Sequence, residues 1–292
     1  MSVTLIAKLA QRCIDTRVQN GRIVGFDFSD AVLAQSTQPT PIESTVYRPL
    51  LCVVLQGEKE VTAGKHKISC SPGQMILVSH QLPVASRIIK ASSVDPYIAV
   101  ILPLEREKLR RYYEPTRSQK AGEARAAMKC HSAEAPILDA LGRLLALHEE
   151  AEIAALVAPL IEDEIHARLL FSPMGTMLAR LMWHDDKSTQ IARVIKLISG
   201  DLSNSPSIPE LADMVGMSKS ALHLHFKAVT GMSPLAYVKE LRLLKAQTCV
   251  RESDRPISMI GYEVGYESPA QFSREYARKF CLSPRQDRLA AR

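Results

Sequence analysis

One pattern of residues occurs twice near the C-terminus of this chain, and its spacing indicates a specific function. Gly216 matches Gly265 at an offset of 49 residues. Four further pairs repeat at an offset of 50: Ser218 and Ser268, Leu222 and Phe272, Phe226 and Tyr276, Pro234 and Pro284. The offset changes once, by a single residue inserted in the turn. Each copy, at about 208–229 and 257–280, predicts a short helix, a glycine turn and a second helix, the plan of a DNA-reading helix-turn-helix.

Each copy also has the residue types that two closely crossing helices need. Ala212 in the first copy and Gly261 in the second are small, although glycine costs a helix about 1 kcal/mol relative to alanine. The turn glycines tolerate a positive φ, and the serine two or three residues later suits an N-cap. Apolar residues at helical spacing predict a core, without a role in recognition; they are Leu222, Phe226, Phe272, Tyr276 and Phe280.

A long helix is predicted between the two copies. Residues 234–251 form one amphipathic stretch of 18 residues, which at ~1.5 Å per residue is about 27 Å long. Such a rod could hold the two second helices near one turn of DNA apart, about 34 Å. The helix before the first copy, 190–199, has four apolar residues at the right period to cover that copy: Ile191, Val194, Ile195 and Ile198.

The positive charge of the chain is concentrated in the same region. Residues 188–292 contain 15 Lys and Arg against 10 Asp and Glu, a net +5. Of the total of +6, only +1 remains for the other 187 residues. A basic C-terminal third suits a polyanionic partner. The same charge excess is equally typical of a solvated surface without a partner, so charge alone does not separate the two interpretations.

The bulk composition is that of a soluble globular protein. The 46% hydrophobic and 23% charged residues are ordinary values, and 292 residues suit two domains. No apolar run reaches the ~20 residues of a membrane span, and no signal-peptide pattern is present. The six cysteines are scattered without a C-x-x-C pair, which indicates a reduced cytoplasmic protein.

The N-terminal part has a different pattern. Short apolar runs broken by turn residues between about 22 and 104 predict many short strands, as in a β-barrel or jelly roll. Residues 114–132 are polar and expected to be partly loop, helices follow between 137 and 182, and 184–189 is a plausible hinge. These helices are expected to pack on the barrel or on a second copy of the chain. The predicted class is α+β, with a sensing domain at 1–110, a helical linker or dimerisation region at 111–186 and a DNA-binding domain at 187–292.

The C-terminal pattern resembles the AraC/XylS family of bacterial transcription regulators. The residues that carry the resemblance are Leu211-Ala212, Val215–Ser218, Leu222, Phe226-Lys227, Gly231–Pro234, Tyr237, Arg242-Leu243, Ala246, Ile257, Val264–Ser268 and Gln271–Arg274. The match covers about residues 188–290 and is highly specific. The N-terminal half more weakly resembles the cupin-like sensor domain of a subgroup, through Arg48-Pro49, Cys52–Val54, Gln56-Gly57, Ser71–Gly73, Val78-Ser79 and Leu82–Val84.

The resemblance implies that exposed residues of each second helix contact DNA. These are Lys219, Ser220, His223 and Leu224 in the first copy, and Pro269, Ala270, Gln271 and Arg274 in the second. Gln271 and Arg274 have the chemistry for bidentate readout of adenine and guanine. Lys227, Arg242 and Lys245 are expected to contact phosphates or to be solvated.

The first copy departs from the family at Leu224, where an arginine is usual. We therefore expect this copy to contact a thymine methyl or mostly phosphates, leaving more specificity to the second copy or the sensor domain. His225 is expected to be a half-buried packing residue.

The N-terminal half shows no catalytic or metal-binding pattern. His66 and His80 stand alone without an H-x-H pair, and neither a nucleophile signature nor a phosphate-binding glycine loop is present. No cofactor and no metal are predicted, and the chain is not expected to be an enzyme. Cys52 and Cys70 could sense oxidants or electrophiles, but buried inert thiols are favoured.

The expected function is a one-component cytoplasmic transcription regulator. Its expected partners are double-stranded promoter DNA, a small-molecule effector bound in the N-terminal domain at unidentified residues, a second copy of the chain and, as an open candidate, RNA polymerase; no membrane is expected. Two alternatives remain: a barrel enzyme with an accessory helix-turn-helix pair, and a nonspecific nucleoid-binding adaptor whose affinity would be sequence-blind and salt-sensitive.

Overall fold

The computed structural model describes residues 1–16, 23–113, 126–182 and 186–291. Its N-terminal half begins with helix α1 (Val3–Thr16) and contains ten strands. The strands are β1 (Ile23–Gly25), β2 (Val32–Ser36), β3 (Glu43–Tyr47), β4 (Leu50–Gln56), β5 (Glu58–Ala63), β6 (His66–Cys70), β7 (Gln74–Val78), β8 (Leu82–Lys90), β9 (Tyr97–Pro103) and β10 (Met128–Ser132).

The strands form two antiparallel sheets. The larger sheet has the order β1-β2-β9-β4-β7-β10, and the smaller has the order β3-β8-β5-β6. Each sheet pairs strands that are distant in the chain, such as β2 with β9 and β3 with β8. This is the double-sheet β-architecture predicted from the short apolar runs.

Both faces of the larger sheet are buried, because side chains alternate along each strand. On β4, Cys52 and Val54 face the interior between the sheets, while Leu51, Val53 and Leu55 face outward against helices. This double burial explains why β4 reads as an unbroken apolar run in the sequence.

The helices around the sheets are α2 (Arg106–Tyr112), α3 (Ala135–Ala146), α4 (Ala151–Phe171) and α5 (Gly175–Ala179), with a 3-10 turn at Leu147–Glu149. Together with α1 they cover the outer face of the larger sheet in one apolar cluster, as expected. The segment expected to be a helical linker also contains β10, which pairs with β7 at the edge of the larger sheet. Residues 114–125, expected to be partly loop, lie outside the described residues.

The C-terminal part is all-helical. Its helices are α6 (Lys187–Gly200), α7 (Ile208–Met214), α8 (Lys219–Thr230), α9 (Pro234–Glu252), α10 (Ile257–Glu263), α11 (Pro269–Phe280) and α12 (Pro284–Ala290). The expected hinge is helical over 187–189, because the Asp186 carboxylate caps α6 by accepting from the Ser188 N–H at 2.7 Å. The rest of that segment, 184–185, is not described. No helix in the described ranges is long and apolar enough to cross a membrane.

The interior of the two sheets and the core of the first helix-turn-helix form one continuous apolar cluster. It extends from barrel residues such as Val54 and Ile76 to Ile198 on α6 and to Leu222 and Phe226 on α8. The first C-terminal subdomain therefore closes one end of the barrel, and separating the two would expose apolar surface to water.

Backbone and side-chain hydrogen bonds join the same two parts. The Ala127 N–H donates to the Val229 carbonyl oxygen at 2.9 Å, and the Tyr237 hydroxyl donates to the Gln81 carbonyl oxygen at 2.8 Å. These bonds satisfy polar groups that the apolar contact would otherwise leave without water.

His80 provides a third connection, between the β7–β8 loop and the start of α6. Its Nε2 lies 3.0 Å from the Ser188 carbonyl oxygen, so this nitrogen donates, while Nδ1 at 2.8 Å accepts from the Ser79 hydroxyl. The ring is 4% exposed, and burial lowers the pKa of His80 from 6.5 to about 4. The hydrogen bond to Ser188 and the Asp186 charge partly oppose that shift, and Arg106 adds to it.

The lowered pKa predicts that acid weakens the folded state through His80. Between pH 6.5 and about 4 the unfolded chain binds a proton at this ring that the folded chain does not, so stability falls as the pH falls. The expected loss of unfolding free energy from this group is about 2 kcal/mol between pH 7 and pH 5. Urea unfolding at the two pH values measures it.

The matched variant His80→Gln has no proton to bind at this position. Its stability should fall less between pH 7 and pH 5 than that of the parent, although His66 and His166, whose pKa values are also lowered by burial, titrate in both proteins. An identical pH dependence of parent and variant would contradict the assignment.

Candidate nucleic-acid interface

The first helix-turn-helix is built by two capped helices and a left-handed turn. Ser207 and Glu210 form a capping box at the start of α7. Gly216 has a φ of +64°, a conformation that favours glycine, and it turns the chain toward α8. The Ser218 hydroxyl then caps α8 by accepting from the Ala221 N–H at 3.2 Å, as predicted.

The second helix-turn-helix repeats this construction. Gly265 has a φ of +95°, and the Ser268 hydroxyl caps α11 by accepting from the Gln271 N–H at 3.4 Å. A Cβ at Gly261 would lie 3.0 Å from the ring of Phe272. The structure thus confirms the need for a small residue where α10 crosses α11.

The two copies have separate cores. Leu222 and Phe226 of the first copy belong to the cluster that continues into the barrel, and the Phe226 ring meets Tyr237 edge-on at 5.2 Å. The second copy has its own smaller cluster, which includes Phe272 and Tyr276 and no barrel residue. The inward stripes predicted from the sequence are therefore core, and the opposite faces of α8 and α11 contain exposed residues.

Helix α9 joins the two copies as one uninterrupted element of 19 residues, about 28 Å long at ~1.5 Å per residue. Arg242 on α9 does not behave as the expected phosphate contact or solvated charge. Its Nε donates to the Leu202 carbonyl oxygen at 2.9 Å and its Nη1 to the Gly265 carbonyl oxygen at 2.7 Å. Arg242 is half-buried and ties the loop between α6 and α7 and the turn of the second motif to α9, which the sequence pattern did not reveal.

The four first-copy residues implied in DNA contact share one exposed surface of α8. Lys219, Ser220 and His223 are exposed, and Leu224 is 68% exposed. His225 is half-buried, as expected, and Lys227 is exposed.

The second-copy residues are also accessible at the start of α11. Ala270 and Arg274 are exposed, whereas Pro269 and Gln271 are partly buried. Among the described residues, Arg274 has no hydrogen-bond or carboxylate partner, so its guanidinium is available for an external acceptor.

Gln271 differs from Arg274 because a neighbouring carboxylate orients it. Its Nε2 donates to Glu275 Oε1 at 3.3 Å, and Glu275 also accepts from Lys239 Nζ and the Tyr266 hydroxyl, both at 3.0 Å. Burial alone would raise the pKa of Glu275, but these three donors lower it, so the carboxylate stays charged and fixes the amide. No sequence pattern indicated that Glu275 orients Gln271.

A buried carboxylate fixes the last helix to the second copy. Asp287 on α12 is 1% exposed and accepts from the Tyr276 hydroxyl at 2.6 Å, Gln247 Nε2 at 3.1 Å and Arg251 Nε at 3.0 Å. These donors lower the pKa of Asp287 against the opposing effect of burial. The network joins α9, α11 and α12, so the position of α11 is set by more than its small apolar core.

The thiols of the N-terminal half lie in unequal environments. Cys52 and Cys70 are buried, and the pKa of each is raised, that of Cys52 by burial and that of Cys70 by its hydrogen bond to Cys130 and by burial. The same hydrogen bond lowers the pKa of the half-buried Cys130, which the sequence did not single out. Among the described residues, no group of three or more His, Cys, Asp and Glu could hold a metal ion.

Comparison with protein families gives two matches that together cover most of the chain. A family model for the N-terminus of AraC-type transcriptional regulators matches residues 29–177. A helix-turn-helix domain model matches residues 211–290.

Curated relatives match over the C-terminal region. The HTH-type transcriptional activator RhaS of Yersinia pestis (strain Pestoides F) is 33% identical over 101 residues, which are 35% of this chain and 37% of that protein. The same values hold for RhaS of Yersinia pseudotuberculosis serotype O:1b. This chain therefore matches well under half the length of these relatives.

Solved structures match over nearly the whole chain. ToxT from Vibrio cholerae O395 superposes with a TM-score of 0.53 at 10% identity, covering 90% of this chain and 96% of that one. Wild-type ToxT from V. cholerae strain SCE256, solved with an unsaturated fatty acid bound, gives 0.51 at 10% identity, with coverages of 92% and 95%. At 10% sequence identity, the superposition shows a similar fold and nothing further.

The thiol environments predict an order of alkylation. Because reactivity follows thiolate fraction and access, the exposed Cys281 should react with iodoacetamide first, Cys130 more slowly, and Cys52 and Cys70 only on unfolding. Mass spectrometry of peptides from the native chain measures the order, and all six should react in denaturant as the control. Native labelling of Cys52 or Cys70 as fast as Cys281 would show that these thiols are accessible.

Proposed function

Because the chain belongs to the AraC family of DNA-binding transcription regulators, we propose that it reads a specific promoter sequence with both of its helix-turn-helix motifs. In this proposal α8 and α11 enter successive segments of the major groove on one side of the duplex. The observation that carries it is that each second helix buries its apolar stripe in a core while a basic residue on its other side, Lys219 on α8 and Arg274 on α11, is exposed.

The two helices have different roles in this proposal. In α11, Arg274 contacts guanine and Gln271, held by Glu275, contacts adenine, while Pro269 and Ala270 approach the bases closely. In α8, Lys219, Ser220 and His223 contact phosphates and Leu224 covers a thymine methyl. Specificity thus comes mainly from the second copy, which alone has an unpaired arginine at the reading position.

We further propose that a small-molecule effector bound in the N-terminal half controls the DNA reader. The continuous apolar cluster and the hydrogen bonds of Ala127, Gln81 and His80 support this, because they connect the position of the first motif to the sensor. A ligand that binds one arrangement more tightly than another shifts the population between them. The proposed setting is the cytoplasm, with RNA polymerase as a further partner at the promoter.

A gel shift with the region upstream of its own gene tests the function as a whole. We expect a discrete complex that survives competition by unrelated DNA. Absence of binding at low salt, with and without candidate effectors, would defeat the proposal. Equal affinity for all sequences, lost steeply as salt rises, would indicate a nonspecific adaptor instead.

Arg274→Ala is predicted to reduce specific binding by about 1–3 kcal/mol and to relax the preference at one base pair. Binding-site selection with parent and variant measures both quantities. Arg278→Ala, at an exposed arginine one turn further along α11, removes the same charge as a control and should leave the preferred sequence unchanged. If Arg274→Ala weakens binding equally for every sequence, Arg274 contacts a phosphate.

We propose that the chain dimerises through the outer face of α4. Ile153, Leu156 and Leu160 lie three and four residues apart on this helix and are 43%, 75% and 68% exposed. Large apolar side chains at helical spacing form one stripe, which a second copy of the same helix can cover. A dimer would place two DNA readers on paired half-sites.

The double variant Leu156→Glu, Leu160→Glu is predicted to shift the chain to monomers, because burying unpaired carboxylates opposes association. Sedimentation velocity measures the change, expected as at least a tenfold rise in the dimer dissociation constant. Val94→Glu is the control, since Val94 is 96% exposed in the loop between β8 and β9. An unchanged dimer in the double variant would place the interface elsewhere.

A further inference from the structure

Three cysteines from three different strands lie in the apolar cluster between the two sheets. Cys52 on β4 and Cys130 on β10 both pair with Ile76 of β7, from opposite sides of that strand. Cys70 is the last residue of β6 and belongs to the smaller sheet. Strands β6 and β10 are in contact, so the two sheets meet where Cys70 and Cys130 lie.

The strand register shows which of these cysteines can form a covalent bond with each other. Cys52 and Cys130 are two strand spacings apart, about 10 Å, and a disulfide requires Cα atoms within about 7 Å. Cys70 and Cys130 meet at the junction of the sheets, where their thiols form a hydrogen bond. Register and this hydrogen bond therefore single out Cys70 and Cys130 as the pair closest to disulfide geometry.

The two thiols of this pair differ in access and in charge. Cys130 is half-buried, whereas Cys70 is 0% exposed. The hydrogen bond from the Cys70 thiol lowers the pKa of Cys130 although burial raises it, and His131 acts in the same direction as the hydrogen bond. Because the thiolate is the reactive form, Cys130 is the thiol of the pair that an oxidant from solvent meets first.

We propose that Cys70 and Cys130 are a redox modification site, at which hydrogen peroxide converts the two thiols to a disulfide. The Cys130 thiolate attacks one peroxide oxygen, so that an S–O bond forms, the O–O bond breaks, and hydroxide leaves and takes up a proton as water. Cys70 then attacks the sulfenic sulfur. The S–S bond forms, the S–O bond breaks, and the hydroxyl leaves with the Cys70 proton as a second water. The two sulfurs together lose two electrons, and the peroxide gains them.

Both strands that carry these thiols begin at the end of α8. β6 starts at His66, and a Cβ added to Gly231 would lie 2.9 Å from the His66 ring. β10 starts one residue after Ala127, whose N–H donates to the Val229 carbonyl oxygen at 2.9 Å. The strands that the disulfide would join are therefore the same two strands that hold the end of α8 against the barrel.

This arrangement connects the redox state to the position of the DNA reader. A disulfide bond of about 2.05 Å is shorter than a hydrogen bond between thiols, so oxidation draws β6 and β10 together. The close backbone contact at Gly231 leaves no space to absorb that movement, so the end of α8 moves with the strands. This regulatory step rests on the proposed function, whereas formation of the disulfide does not.

Peptide mapping of the full chain tests the disulfide. The chain carries Cys281→Ser, which removes an exposed thiol that can join two copies. It is treated with hydrogen peroxide, and the remaining thiols are then blocked with N-ethylmaleimide in denaturant. Trypsin places Cys52, Cys70 and Cys130 on three separate peptides. We expect the linked peptides of Cys70 and Cys130 to increase at least fivefold over the untreated chain and to separate in dithiothreitol. A different pairing, or loss of the Cys130 thiol without any link, would overturn the proposal.

Three variants in the Cys281→Ser chain separate the roles of the thiols. Cys130→Ser should leave the Cys70 thiol unoxidised, because peroxide reaches this pair through Cys130. Cys70→Ala should stop the reaction at the Cys130 sulfenic acid, which dimedone traps as a thioether. Cys52→Ala is the matched control, since Cys52 is a buried thiol of the same cluster, and it should leave the disulfide yield unchanged. Oxidation of Cys70 in Cys130→Ser, or a link between Cys52 and Cys130 in Cys70→Ala, would contradict the assigned roles.

The effect on DNA binding is measured separately. In a gel shift, the oxidised Cys281→Ser chain should differ at least threefold in DNA affinity from the reduced chain, and dithiothreitol should restore the reduced value. The same treatment should leave the affinity of the Cys130→Ser variant unchanged. A disulfide without any change in DNA affinity would overturn the link to α8 and keep the site. A chain that forms the disulfide but binds no DNA in either state would defeat the proposed function alone.

Discussion

One apolar cluster that crosses the boundary between the two halves constrains the rest of the molecule. Residues from the interior of the sheets and from the first helix-turn-helix bury the same surface, so neither half has a complete core without the other. The backbone at Gly64, in the barrel, lies against the backbone at Gly231, after α8. A Cβ added to either glycine would lie about 2.5 Å from a backbone oxygen of the other segment. Because closely packed interfaces have few alternative arrangements, the contact with the barrel end fixes the orientation of α8.

The second helix-turn-helix is under a different constraint. Its core is small and contains no barrel residue, so α9, Arg242 and the Asp287 network hold it in place. Polar connections of this type have strict geometry, because each buried donor and acceptor must be satisfied. The barrel therefore positions the first helix-turn-helix, and α9 connects the second motif to the first.

The unequal chemistry of the two reading surfaces follows from this arrangement. The first surface exposes a leucine between histidines, which suits general contact, while the second exposes an unpaired arginine beside an oriented glutamine.

The elements that depend on local chemistry could be predicted from the residue pattern. Gly216 and Gly265 mark turns because positive φ favours glycine, Ser218 and Ser268 mark helix starts because a hydroxyl can cap, and helical spacing separated the core residues from the exposed ones. The relations between distant residues became visible in the folded chain. Arg242 bridges the α6–α7 loop and the α10–α11 turn, Glu275 orients Gln271, His80 joins a loop to α6, and β10 completes a sheet from within the expected linker. None of these has a local pattern, because each depends on which chain segments meet after burial of the apolar surface.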